Sequence, residues 1–182
     1  MKYTYTIVDI ETSGPVPGKY SMLSIGACVA FNKSKRFYVE IKPINENYQK
    51  GAMAANKLSM RKLRKYGKDP EKAMELFDKW VRRISGKDKP VFVARPATFD
   101  WPFVNYYFEM FLGRNPFMYR RYKARVIDMK SYFMGKMNLD IDESSRDKLF
   151  EMFPAKVEHT HNALDDAVGY AETFEKLLKH RK

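Results

Sequence analysis

Tyr3-Thr4-Tyr5-Thr6-Ile7-Val8-Asp9-Ile10-Glu11-Thr12-Ser13-Gly14 opens the chain with an apolar strand pattern that ends in acids. Tyr3, Tyr5 and Ile7 alternate with Thr4, Thr6 and Val8, and this period-2 run of aromatic and β-branched residues predicts a β-strand. Gly14-Pro15 breaks it. Alternation places Asp9 and Glu11 on one face of the sheet, with Ile10 on the other. Two neighbouring carboxylates on an apolar strand repel each other and resist burial, so an opposing charge is expected beside them. A divalent ion such as Mg²⁺, which prefers oxygen ligands, supplies that charge most directly. The simpler alternative is a solvated strand end whose acids meet water or lysine.

Outward from this stretch, Thr12 to Lys19 reads as a loop punctuated by Gly14, Pro15, Pro17 and Gly18. Met22 to Phe31 and Arg36 to Ile41 follow as strands joined by a turn at Asn32-Lys33-Ser34-Lys35, giving an antiparallel meander of three strands. Met53, Lys57, Met60 and Leu63 to Arg64 predict one amphipathic helix ending near Gly67. Pro70 opens another, which carries a core stripe of Met74, Phe77, Trp80, Val81 and Ile84 and stops at Gly86. Pro90 to Ala94 suits a buried central strand. A helix starting near Phe99 holds Asp100 in its first turn, where the helix dipole favours a carboxylate. Arg125 to Asp128 reads as a last strand, with Asp128 capping the helix after it.

At 182 residues the chain fits one domain, residues 1–182, able to bury roughly 70% of its unfolded surface. A hydrophobic fraction of 45% with 15% aromatics argues for a packed core and against disorder. The formal net charge of +12 points to a polyanionic partner, nucleic acid or an anionic membrane surface. Lys57, Arg61, Lys62, Arg64, Lys65 and Lys68 concentrate that charge, as does the Arg- and aromatic-rich segment 114–125, where rings would stack on bases and cations follow phosphates. Cys28, alone in an apolar run, reads as a small buried hydrophobe and excludes a disulfide framework. The N-terminus lacks a secretory pattern, and no stretch approaches the ~18 apolar residues of a membrane helix. A soluble, intracellular (cytoplasmic) protein is expected.

The closing helix sharpens the reading. Ala163, Ala167, Tyr170, Ala171, Phe174, Leu177 and Leu178 form its apolar face, and Asp166 falls within that face while Asp165 lies outside it. An acid on a core-facing stripe is costly unless paired or metal-bound. His161 lies just ahead of the helix, close enough to share a site with Asp166. His159, two residues earlier, is a competing position on spacing alone.

Together, Asp9-Ile10-Glu11-Thr12-Ser13-Gly14, Phe99-Asp100 and His161-Asn162-Ala163-Leu164-Asp165-Asp166 resemble, in order, the three motifs of DEDDh 3′-to-5′ exonucleases. This is the family of the bacterial proofreading subunit, oligoribonuclease and RNase T, here as a stand-alone single-domain member. The resemblance implies an α/β, RNase H-like fold, a mixed five-stranded sheet flanked by helices. It also implies that Asp9, Glu11, Asp100 and Asp166 bind two divalent cations, Mg²⁺ or Mn²⁺, with His161 as general base. The spacing of the family pattern selects His161 and Asp166 over His159 and Asp165. One departure is Arg95-Pro96-Ala97-Thr98, where family members often carry Asn.

The implied reaction is release of nucleoside 5′-monophosphates from the 3′ end of single-stranded nucleic acid or 3′ overhangs, DNA or RNA. Thr12, Ser13, Met22 and Phe99, with the Pro15–Pro17 loop, are expected to contact the terminal sugar and bases. A homodimer is left open, because some relatives pair and others do not. The competing reading is a non-catalytic nucleic-acid-binding module on the same fold, which would need no general base. A basic membrane-surface protein fits less well, since no helix pairs a strong apolar face with a lysine-rich back.

Overall fold

In the computed structural model, which describes residues 2–120, 123–157 and 160–181, the opening stretch forms strand β1 (Tyr3–Thr12). Met22–Val29 (β2) and Asn32–Glu40 (β3) complete an antiparallel meander with it. Lys89–Ala94 (β4) runs parallel to β1 on its other edge. Met118–Arg120 (β5) and Lys123–Ala124 (β6) make a separate ribbon, after which Val126–Asp128 (β7) joins the outer edge of β4. The main sheet is therefore five-stranded and mixed, in the order β3-β2-β1-β4-β7.

The helices are α1 (Lys50–Asn56), α2 (Met60–Tyr66), α3 (Pro70–Ser85), α4 (Ala97–Leu112), α5 (Met129–Met137), α6 (Arg146–Met152) and α7 (Ala163–Lys179). Strand alternation sends side chains to two large core clusters, one on each face of the sheet, beside a smaller one of Leu23, Met60 and Leu63. Val8 and Ile10 face a cluster that includes Met74, Phe77, Phe103 and Tyr107 from α3 and α4. Ile7 and Cys28 face Phe133, Phe174 and Leu177 from α5 and α7. Asp9 and Glu11 continue the Ile7 face, at the end where α7 begins. Met74, Phe77, Trp80 and Val81 are buried as their spacing predicts. Cys28 is buried too, and burial pushes its thiol pKa up to about 12, which leaves it inert. Among the described residues no helix is long and apolar enough to cross a membrane.

Three local expectations are corrected. The β2–β3 turn lies at Ala30-Phe31, and Asn32–Lys35 belong to β3. Phe31 takes a left-handed φ of 65°, its N–H donates to Glu175 at 2.7 Å, and Lys33 pairs with the same carboxylate. Contacts from α7 thus override turn propensity. The single helix expected up to Gly67 is two, broken at left-handed Lys57. Asn56 is the cause: its amide donates to the Thr12 carbonyl at 3.0 Å and its side-chain oxygen accepts from the Leu58 N–H. In segment 114–125, Phe117 is a core residue and Arg114 pairs with buried Asp78, so part of that segment is structural. Arg125 stacks over Tyr119 at 4.7 Å, and Arg121 and Tyr122 lie outside the described residues. Helix α6 had no counterpart in the sequence reading.

Candidate active site

Strand β1 outruns β4. Their parallel pairing ends at Ile7↔Val93, and farther along, the Ile10 N–H donates to Asp100 Oδ1 at 3.1 Å instead of to a strand. A ligand cleft outside the carboxyl ends of such strands is a general property of open α/β sheets. Asp100 is delivered there by the first turn of α4. That helix has no side-chain cap of its own (Pro96 precedes it), and its Ala97 N–H donates to Asp128 Oδ2 at 2.7 Å. The other oxygen of Asp128 caps α5 through Ser131, so one carboxylate ties two helix starts together.

Helix α7 brings the last acid. Asn162 caps it by accepting from the Leu164 and Asp165 N–H groups. Asp166 is buried and its Oδ1 accepts from the Thr160 N–H at 2.9 Å, while Asp165 points outward to the Thr160 hydroxyl. His161 is exposed and held at φ 57°, a left-handed position that aims it at the cleft. Gly26 on β2 lets the helix start lie directly on the sheet. A Cβ there would sit 2.1 Å from the Ala163 carbonyl carbon.

The result is an open cleft of about 490 Å³. Asp9, Ile10 and Glu11 line it from β1, Phe99 and Asp100 from α4, and His161, Asp166 and Tyr170 from the α7 region. Arg95, Pro96, Arg146 and Asp147 complete the wall. A larger cleft, about 870 Å³, lies beside the β5–β6 ribbon, but its one acid, Glu109, makes no polydentate cation site.

Burial, with Asp166 and Asp100 nearby, pushes the Glu11 pKa up to about 8. Burial likewise raises Asp100 to about 8, against the opposing pull of the Ile10 N–H. Asp9 is raised well above the usual carboxylate range, by burial and then by Asp100, Glu11 and Asp166. Hard oxygen donors that resist ionising together are what a divalent cation offsets. Glu11, His161 and Asp166 bring ligand atoms within 4.8 Å of one another, and Asp9 and Asp100 open onto the same space. The residues present fit such an ion.

A linkage prediction follows from these directions. Because the folded pKa values lie above the unfolded ones, ionisation costs stability, and the cost grows from about pH 4 to about pH 8. A cation that relieves it should raise the thermal midpoint more at pH 8 than at pH 5. Melting curves with and without Mg²⁺ or Mn²⁺ check this, and equal increments at both pH values would contradict it.

Not every expected residue reaches the cleft. Asp9, Glu11, Phe99, Asp100, His161 and Asp166 do. Met22 is fully buried beneath Tyr107, whose hydroxyl accepts from the Met22 N–H. The Ser13 hydroxyl donates to the Asn47 carbonyl and accepts from the Ser21 N–H, and the Thr12 hydroxyl donates to the Gly14 carbonyl. The Pro15–Pro17 loop does not line the cleft. His159 lies outside the described residues. Arg146 and Gly26 were missed, since nothing local marks either one. Tyr170 is buried in the core, as its place on the apolar face of the closing helix predicts, and it also lines the cleft, four residues on from Asp166.

An exonuclease family model, that of RNase T, matches residues 6–174. The chain belongs to this exonuclease family. It is 41% identical to the 3′-5′ DNA exonuclease Cap18 of Escherichia coli, over 100% of this chain and 96% of that protein. It is thus a 3′-5′ exonuclease, a phosphodiester hydrolase. The fold is that of DEDDh enzymes. It superposes on the nuclease domain of 3′hExo, a DEDDh family member bound to rAMP, with a TM-score of 0.77 at 10% identity, covering 97% of this chain and 92% of that one. Exonuclease I of E. coli bound to a dT13 oligonucleotide gives a TM-score of 0.71 at 15% identity. That match covers 97% of this exonuclease but only 41% of exonuclease I.

Proposed function

We propose that this exonuclease removes nucleotides from the 3′ end of single-stranded DNA or 3′ overhangs, releasing nucleoside 5′-monophosphates. Two divalent cations, Mg²⁺ or Mn²⁺, would be held by Asp9, Glu11, Asp100 and Asp166. The observation that carries the reading is the gathering of these acids with His161 in one cleft. The name of Cap18 as a DNA exonuclease and the single-stranded oligonucleotides bound to exonuclease I support the choice of substrate.

When bound, such cations supply the charge that activates water and stabilises a leaving 3′-oxygen. The protein's own groups do the rest. Asp100 is fixed by the Ile10 N–H and Asp166 by the Thr160 N–H, so their carboxylates are oriented before substrate arrives. His161 stands exposed at the cleft, where an imidazole can accept the proton of attacking water. Beside it, on the β2–β3 side, a pocket of about 240 Å³ lies between Glu11, Tyr38, Lys57 and His161 and suits the terminal nucleoside. The Phe99 ring faces the cleft, placed to stack on a base.

His161→Ala should lower the release rate about 10²- to 10⁴-fold with little change in thermal midpoint, since the side chain is exposed. Full activity in that variant would remove His161 from the reaction. The function itself is tested by incubating 3′-overhang duplexes and matched DNA and RNA single strands with Mg²⁺ or Mn²⁺. A ladder of shortened DNA products is expected, abolished by EDTA. Intact strands retarded on a gel would indicate a binding module, and faster loss of RNA would overturn the DNA assignment.

A further inference from the structure

The cleft is acidic around β1 and basic beyond it. Arg95 follows β4, so strand order puts it on the β4 side of the acids. Its bond to the Ser144 carbonyl brings the start of α6, with Arg146, to the same wall of the cleft. Neither lines the small pocket beside Glu11 and Tyr38. Arg95 is partly buried. Its Nη2 donates to the Ser144 carbonyl at 3.0 Å, and its Nε meets no acceptor among the described residues. It forms no ion pair among those residues either. A partly desolvated guanidinium whose described partners are a neutral carbonyl and the Tyr170 hydroxyl, with its Nε turned to neither, calls for an anion. Ser144 lies two residues before Arg146, so the same bond anchors the approach to α6. Among the described residues Arg146 makes one loose ion pair, with Asp147 at 3.7 Å, and its side chain is 43% exposed.

We infer that Arg95 and Arg146 form a phosphate subsite that takes the phosphodiester next to the scissile one, on its 5′ side. The inference rests on the proposed function, which places the scissile bond among the acids and the terminal nucleoside beside Glu11. A strand threaded that way brings its next phosphate to the β4 side, where two planar guanidinium forks can grip it bidentately. The subsite also explains how a polyanion enters a cleft rich in carboxylates, because the cations offset the repulsion as the strand docks.

The test neutralises that phosphate chemically. First-cleavage kcat/KM is measured on a short DNA strand and on the same strand with a methylphosphonate at the second linkage from the 3′ end. The unmodified protein should lose about tenfold to a hundredfold on the neutral strand, the worth of a hydrogen bond to a charged group. Arg146→Ala and Arg95→Lys should lose a comparable factor on the ordinary strand, and then less than about threefold more on the neutral one. Arg146 is exposed, so its variant should fold even if Arg95→Lys does not. Indifference of the unmodified protein to the methylphosphonate, or the full penalty persisting in Arg146→Ala, would overturn the subsite. Failure of the unmodified protein to cut the ordinary strand would instead sink the exonuclease reading, and the subsite with it.

Discussion

Replacing Asp100 by Asn is expected to cut nucleotide release by about 10³-fold or more while making the metal-free protein harder to unfold. The first effect follows from the proposed role of Asp100, since the variant would lose one charged oxygen donor from a cation centre able to stabilise transition-state charge by several kcal/mol. The second comes from the same burial. Asp100 is 3% exposed and its pKa stands near 8, so ionisation opposes folding wherever the pH exceeds the unfolded value of about 4. Asparagine keeps an acceptor for the Ile10 N–H and carries no charge to repel Asp9. The gain should be on the order of 1–2 kcal/mol at pH 8 and vanish near pH 4. Release assays with Mg²⁺ and melting curves in EDTA at both pH values check the pair of effects. Retained activity, or a variant less stable than its parent at pH 8, would count against the site.

Gly26→Ala should do damage of another kind. The added methyl would lie 2.1 Å from the Ala163 carbonyl carbon and 2.2 Å from the Leu164 nitrogen. Backbone cannot rotate away as a side chain does, so the start of α7 must lift from the sheet. A loss of about 3 kcal/mol, the upper end for overpacking, is expected. Activity should fall further than unfolding explains, because Asp166 and His161 ride on that helix start. Gly135→Ala is the control: nothing lies within 4 Å of its Cβ position, and alanine inside α5 should stabilise by about 0.5–1 kcal/mol. Denaturant titrations and release rates at a temperature where both variants are folded would separate the two effects. Parent-like stability in Gly26→Ala would show that α7 does not need this close approach.

The acids were legible because each breaks a local rule. Asp9 and Glu11 interrupt an apolar alternation, and Asp166 interrupts an apolar helical stripe on which Asp165 would have been ordinary. Such costs need a cause, and the family pattern supplied one. The sheet was legible for a related reason, since its strands are short and apolar or alternate cleanly. What escaped depends on long-range contacts. Phe31 can occupy a turn only because Glu175, far away in sequence, holds its N–H. Helices α1 and α2 separate only because Asn56 reaches Thr12. Met22 and Ser13 sit next to the right stretch, yet the packing of Tyr107 and the Asn47 carbonyl assign them structural work. Arg146 reaches the cleft because Arg95 holds the preceding turn, a relation no periodicity contains.

Anomalous diffraction from crystals soaked in Mn²⁺ tests the central claim most directly. Peaks bounded by Asp9, Glu11, Asp100 and Asp166, lost in crystals of Asp100→Asn, are the expected result. A protein that degrades strands while its only manganese peaks lie elsewhere would contradict the assignment of these acids as the catalytic centre.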